Sequence, residues 1–471
     1  MQKYVDCVIR NGNIFYNHTL FHGSIGVDEG RIVYIGKDNL IVGKKEMDAD
    51  GDLVLPGGID THVHIREPEM CQRGTFQSET AAAAAGGITT IFEMPISAPP
   101  QYCPEILQKR IDTASAQSYI DFAFYGAAGR ETQYFKALAE AGIIGFKTFL
   151  FSPLPGRDQE FRGTCMDDDG ALWQGMRAVA ETGLTLAVHA ENDAIIQRCT
   201  AALRNGGRKD FAAHGLSRPP HAEVQAVEKI IRYASLLNIP VSFCHVSCPE
   251  SLLMIKKAKA KGQRIFAETC PQYLFLNEES ALGYGPYAKF NPPIRSRCHQ
   301  EEMWPFLLDG TVDYVGSDHG AFLFEEKERG WDDIFNAPAG SVGFEVRLPL
   351  LMTAVKEKKI SLAKAVDLLS RQAAQVFDLH PQKGSLLPGA DADLIIVDVK
   401  TPFIVKSSDF LTNGREIARL YEGQALYGKV LHTMVRGRFV YSRGYLCESG
   451  AGWGKYINTS LLQRRGSCFS W

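Results

Sequence analysis

The chain has 471 residues, 45% hydrophobic and 22% charged, with 51 Lys and Arg against 54 Asp and Glu for a formal net charge of −3. That balance offers no basic face for nucleic acid or an anionic membrane, and the length suits one barrel-sized domain with a smaller companion. No apolar run approaches roughly 18 residues, the opening MQKYVDCVIRNG lacks a signal-peptide core, and eleven scattered cysteines include no Cys-x-x-Cys pair; a cytoplasmic protein with reduced thiols is expected.

Residues 1–55 hold short alternating or apolar runs, VDCVIRNG, GSIGVDEG and RIVYIG, punctuated by Gly, Asn and Asp. These read as strands and tight turns of a small β unit. From there the texture changes. Eight apolar runs follow: LVLPGGIDTHVH, ITTIFEMP, IDFAFYG, GIIGFKTFLF, LTLAVHAE, IPVSFCHVS, RIFAETC and VDYVGSD. Between them lie helix-like segments such as SETAAAAAGG, EILQKRIDTASAQ, KALAEAG and HAEVQAVEKIIRYASLLN. Near-continuous apolar strands alternating with helices predict a parallel sheet covered on both faces, and eight such units close a TIM (β/α)8 barrel. After helix-like segments near 345–378 the β texture returns in KGSLLPGADADLIIVD and YGKVLHTMVRGRFVYSRG. The expected architecture is α/β. It has a barrel over 56–383, a small β-sandwich domain from both chain ends (1–55 with 384–445), and a surface tail over 446–471 suited to packing on another subunit.

In a barrel of this kind the chemistry gathers at the C-terminal ends of the strands. His62 and His64 end the first run one residue apart, with Arg66 two further on, so an extended strand points all three to one face. Lys147 stands alone among apolar neighbours in the fourth run; His189 ends the fifth, His245 the sixth and Asp318 the eighth. Each has a bland alternative. A lone strand-end histidine is more often a hydrogen-bonded residue than a ligand, and Asp318 in GSDHG could cap a turn. Lys147 is harder to dismiss, because an unpaired ammonium is costly to bury. Six such residues on one rim read better as a shared metal site. Four imidazoles and a carboxylate suit a borderline divalent metal such as zinc, and they exceed what one tetrahedral ion needs, so two ions fit. A neutral lysine amine can also react with carbon dioxide to give a carbamate, an anionic ligand able to bridge two metals. Cys244 and Cys248 flank His245, but buried thiols often serve as small hydrophobes.

His62-Val-His64 after Gly-Gly-Ile-Asp, Lys147 in GFKTF, His189 in VHAEN, His245 in CHVSCPE and Asp318 in GSDHG together resemble the amidohydrolase superfamily. More closely they resemble the cyclic amidohydrolases: hydantoinase, dihydropyrimidinase, allantoinase and dihydroorotase. The likeness continues through TAAAAAGGITT, ETCPQYLFL, NPPIRS and KGSLLPGADADLIIVD. By that resemblance His62, His64 and Asp318 hold the more buried of two divalent ions, of zinc type, and His189 and His245 hold the other. Lys147, as N6-carboxylysine, bridges them. The resemblance further implies a metal-bridging hydroxide that attacks a ring carbonyl, with Asp318 as general base and then acid. A small cyclic amide substrate and a homo-oligomer, dimer or tetramer, belong to the same implication.

The members of this group differ around the metals. Arg66 in HVHIREP and Asn291 in NPPIR resemble dihydroorotase, where the equivalent arginine binds the substrate carboxylate. Against it, Ile96 stands where dihydroorotases read Asn in Met-Pro-Asn, and Gly320-Ala321-Phe322 where they read Ala-Pro-His. Dihydropyrimidinases and D-hydantoinases carry a tyrosine five residues after the lysine; here that position is Ser152. Allantoinases are similar in FKTFL, FRGTCMDDDGALWQGM and CHVSCPES, whereas GSVGFEVRLPLL and Phe322 are closer to hydantoinases. The expected function is a hydantoinase- or allantoinase-type ring-opening hydrolase, slightly nearer the second. Dihydropyrimidinase and dihydroorotase are the alternatives. A non-catalytic dihydropyrimidinase-related scaffold is the alternative of another class, but it would lack some of the six residues, and none is replaced. Candidate substrate contacts are Arg66, Ser152, Asn291, His319, Ser341 and Gly343. Arg66 has a second reading as an ion pair with Glu67 or Glu93, and His319 as the residue that orients Asp318. His18, His22, His214, His221, His299, His380 and His432 lack a strand-end context and read as solvated or structural.

Overall fold

The opening runs form five strands in the computed structural model, which describes residues 3–37, 41–153, 156–447 and 450–460. They are β1 (Lys3–Tyr16), β2 (Thr19–Asp28), β3 (Arg31–Gly36), β4 (Ile41–Asp48) and β5 (Leu53–Pro56). β1 pairs antiparallel with β2 and parallel with both β4 and β5. Leu394–Asp398 then runs antiparallel to β5, and Lys429–Val435, Arg438–Ser442 and Tyr445–Leu446 continue the ladder. Both chain ends therefore share one nine-stranded sheet. Its core draws on both: Ile9, Ile14, Ile25 and Val54 pack with Leu394, Ile396 and Met434.

The run LVLPGGIDTHVH, read above as one strand, is two. Gly57 is the break. Its N–H donates to Asp393 O at 2.9 Å, and a Cβ there would meet Thr89 Oγ1 at 2.2 Å, so only glycine permits the approach. β5 stays in the end sheet and β6 (Gly58–His64) opens the barrel.

β7 (Ile88–Glu93), β8 (Asp121–Ala127), β9 (Gly145–Phe149), β10 (Leu186–His189), β11 (Val241–Phe243) and β12 (Ile265–Thr269) follow, each parallel to the one before. The eighth segment closes the ring in two short steps. β13 (Tyr314–Val315) pairs with β12, and after Asp318 the pair His319–Gly320 (β14) aligns with Val63 and His64 of β6. Every residue of β6 to β11 is buried, as expected of strands covered on both faces.

Helices stand where the spacing predicts them. Thr75 caps Phe76–Ala85 in a capping box with Ser78, and the alanines of that helix are wedged between barrel and end sheet, where Thr433 Oγ1 donates to Ala84 O at 2.7 Å. Residues 450–460 of the tail lie on the chain's own barrel, where Phe122 N–H donates to Lys455 O at 3.0 Å and Ile457 N–H to Phe122 O at 2.8 Å. The Tyr456 and Phe122 rings, 6.0 Å apart, supply the apolar reason. Residues 461–471 lie outside the described residues. The ten cysteines among the described residues are all free.

Candidate active site

β6 alternates, so His62 and His64 project from one face with ring centroids 5.1 Å apart. Both are buried, and their Nε2 atoms each lie 3.3 Å from Asp318 Oδ1. Asp318 reaches them from the kink between β13 and β14, where its backbone adopts φ 51°, a left-handed conformation unusual for a residue with a side chain. Asp60 ties the two segments together: its Oδ1 accepts from His62 N–H at 3.2 Å and from Ser317 N–H at 3.1 Å.

A second pair faces the first. His189 Nδ1 and His245 Nε2 are 3.0 Å apart, and His245 too is left-handed at φ 38°. His189 Nε2 donates to Glu191 Oε2 at 2.8 Å, which places the proton there and leaves Nδ1 a lone pair turned toward His245. The His62 and His245 rings, 5.1 Å apart, join the two groups. Lys147, fully buried on β9, donates to Cys244 Sγ at 2.8 Å, and its charge acts on His62, His189, His245 and Asp318. The structure thus brings all six residues to one mouth.

The electrostatics divide the rings. Burial pulls His64 down to about 3 and lowers His189. In His62 burial acts the same way, but the Glu268 and Asp318 carboxylates outweigh it and hold the ring up at about 10. His62, His64 and Asp318 present ligand atoms close enough for one cation. His64 Nδ1 and His245 Nδ1 are buried without a partner in the chain, so two of the eight imidazole nitrogens are left over by the protein's own contacts. The donor set fits divalent metal of zinc type.

Carboxylates missed in the sequence stand behind the imidazoles. Glu268 Oε1 takes His62 Nδ1 at 2.6 Å while Oε2 accepts from Thr61 Oγ1 at 2.7 Å. Glu191 holds His189 and pairs with Arg218. Glu268 is the next-to-last residue of β12, within the seventh apolar run RIFAETC, so the strand-end rule applied to that run points near it; Glu191 lies two residues past His189, beyond the end of β10.

The six candidate substrate contacts divide. Asn291 Oδ1 and Ser341 Oγ are buried with no partner in the chain. Ser152 is exposed and donates to Asp167 Oδ2 at 2.9 Å. Gly343 N–H donates to His319 Nδ1 at 3.2 Å, and His319 Nε2 lies 2.7 Å from Glu79 Oε2. His319 therefore does not orient Asp318: both ring nitrogens are engaged elsewhere and the ring stacks on Phe344 at 3.7 Å. Arg66 pairs with neither Glu67 nor Glu93. Its Nη1 donates to Glu160 Oε2 at 2.7 Å, Glu93 belongs to Arg110 at 2.8 Å, and Glu67 takes the Phe76 N–H at 2.7 Å.

Residues 53–440 match the model of the amidohydrolase family. An L-hydantoinase of Paenarthrobacter aurescens is 33% identical over 452 residues, covering 95% of this chain and 97% of its own. An allantoinase of Rubrobacter xylanophilus is 34% identical over 455 residues, covering 95% and 96%. Among solved structures, the L-hydantoinase (dihydropyrimidinase) of Arthrobacter aurescens superposes with a TM-score of 0.91 at 32% identity, covering 96% of this chain and all of that one.

Proposed function

Because the chain belongs to the amidohydrolase family and is a hydrolase of carbon–nitrogen bonds in cyclic amides, we propose that it opens a five-membered ureide ring of the hydantoin or allantoin type. The observation that carries this reading is the convergence of His62, His64, Lys147, His189, His245 and Asp318, none replaced, in a fold so close to hydantoinase. The barrel of 56–383 is the catalytic unit of this reading, with 1–55 and 384–445 as its β companion.

His62, His64 and Asp318 would hold one divalent ion and His189 with His245 the other, zinc being the choice that suits the ligands. Lys147 would join them as N6-carboxylysine, its carbamate oxygens replacing the donor now spent on Cys244. When bound, such ions activate water at neutral pH and polarise a carbonyl. The chain's residues do the rest. Glu268 and Glu191 fix the rings of His62 and His189 and raise their basicity. Asp318 is the proton carrier, taking a proton from the attacking water and delivering it to the leaving ring nitrogen. Asn291 and Ser341, with buried oxygens not used by the chain, hold the polar edge of the ring. A cytoplasmic homo-oligomer, dimer or tetramer, completes the reading. No helix among the described residues is long and apolar enough to cross a membrane.

The test is ring opening by the metal-loaded protein against allantoin, hydantoin, 5-substituted hydantoins, dihydrouracil and dihydroorotate. The highest kcat/KM is expected on a five-membered ureide. Activity on dihydroorotate alone overturns the reading.

A further inference from the structure

The loop after β9 leaves the strand that carries Lys147 and returns beside it, with Phe149 N–H donating to Thr164 O at 3.0 Å and Met166 N–H to Phe149 O at 2.9 Å. Within it the short helix Asp158–Phe161 carries Glu160, 4% exposed, to Arg66, two residues beyond His64 and itself 4% exposed. The carboxylate is crowded by cations. Arg66 Nη1 donates to Oε2 at 2.7 Å, Arg157 forks onto both oxygens at 2.9 and 2.6 Å, and Arg73 Nη1 stands 3.7 Å away. The Arg73 guanidinium is anchored by Glu326, and both it and Arg66 lie over the Phe322 ring, at 5.1 and 4.9 Å. Arg66 Nε is buried with no partner, and the charge of Arg66 acts on the His64 ring. A buried guanidinium with a donor to spare thus sits at the edge of the candidate metal mouth.

A guanidinium fork is the natural receptor for a carboxylate, and here the carboxylate on it comes from the chain itself. Resting on the ring-hydrolase reading, we propose that Glu160 is a specificity-determining residue: it fills the carboxylate position of Arg66 from within and so excludes cyclic amides that bear a carboxylate, leaving uncharged ureides as substrates. A carboxylate on an incoming ring faces two unfavourable choices. It lies beside Glu160, like charge against like, or it displaces Glu160 from Arg66 and breaks that buried pair. Burial alone would raise the Glu160 carboxyl, but the Arg157 hydrogen bonds and the Arg66 charge hold it at about 2, so it is ionised throughout the working pH range.

The experiment uses the full-length, metal-loaded protein and two probes of one ring and nearly one size, hydantoin-5-acetate and hydantoin-5-acetamide. Wild type should favour the amide in kcat/KM by about 100-fold or more, since each charge left without a partner is a large penalty. Glu160→Gln should shrink that preference at least about tenfold, through a lower KM for the acid, because Arg66 then has a carboxylate to seek. Adding Arg66→Gln to Glu160→Gln should cancel the gain. Equal turnover of acid and amide by wild type, or a parallel change of both in Glu160→Gln, overturns the proposal. Should Glu160→Gln not fold, inhibition of wild type by the two probes decides: an acid as potent as the amide overturns it. If wild type opens no neutral ring, the ring-hydrolase reading fails, and the affinities of the two probes for the metal-loaded protein, measured by calorimetry, still judge Glu160 by the same ratio.

Discussion

His62 is clamped between two carboxylates, its Nδ1 2.6 Å from Glu268 Oε1 and its Nε2 3.3 Å from Asp318 Oδ1. That relationship sets both the direction of the ring and the proton it carries. Glu268 turns Nε2 into the mouth, beside Asp318 and the Nε2 of His64, and the two acids together hold the metal-free ring protonated up to about pH 10.

Glu268→Gln keeps the shape but removes the charge behind His62. Metal affinity should fall about 10- to 100-fold, as when the partner of a ligating histidine is lost. Competition with a chromophoric chelator measures it. An unchanged affinity removes Glu268 from the support of the site.

The His62 proton also gives metal uptake a pH dependence. Its folded value lies above the ordinary 6.5, so the proton stabilises the metal-free fold fully below 6.5, and that contribution is lost as pH rises through about 10. A cation at Nε2 must expel this proton. Uptake by the stripped protein should strengthen steadily from pH 6 to pH 9 and release protons, both readable by calorimetry in buffers of different ionisation heat.

Lys147→Ala should reduce metal content below two ions per chain and abolish turnover, with partial return of activity on adding a short carboxylic acid such as acetate or propionate. Elemental analysis and ring-opening assays follow the two effects. Full metal content with full turnover contradicts the bridging role.

Asp318→Asn should leave secondary structure and melting intact while kcat falls by a factor on the order of 10²–10⁴, the worth of a positioned acid–base group. An unimpaired variant removes Asp318 as the proton carrier.

Glu191 lies buried between His189 and Arg218. Burial alone would raise it, but Arg218 and the His189 hydrogen bond hold it at about 2, below the ordinary 4.5. A depressed carboxyl stabilises the fold at pH above 4.5, and the contribution fades as pH falls through about 2. Glu191→Gln should therefore destabilise the metal-free protein at pH 7 by about 3 kcal/mol, the cost of breaking a buried pair. The gap to wild type should narrow in urea unfolding at pH 3. A gap that widens in acid contradicts the ion pair.

What was legible in the sequence followed from two regularities. Barrel strands buried on both faces are apolar throughout, so ITTIFE or LAVH declares itself without knowledge of its neighbours. Chemistry placed at strand ends puts its residues at predictable points in those runs, which is why five of the six converging side chains could be named from position; Lys147, in the middle of β9, is marked instead as the one charge among apolar neighbours. What was missed depends on contacts between distant loops. Glu160 reaches Arg66 across 94 residues and His319 reaches Glu79 across 240, and no local pattern marks either partner. The second reading of Arg66, an ion pair with the neighbouring acids Glu67 or Glu93, rests on sequence proximity alone; folding gives those acids to the Phe76 N–H and to Arg110. The split of LVLPGGIDTHVH at Gly57 is of the same kind, since a backbone passing within reach of Thr89 and Asp393 is invisible until the two sheets meet.

Stepwise return of zinc to the stripped enzyme, followed through the opening of hydantoin and allantoin, probes most directly whether paired cations at this mouth perform the hydrolysis. Turnover should be absent at the start, rise with added metal and level off near about two equivalents per chain. Full activity in the stripped protein, or two bound ions with every ring left closed, would contradict it.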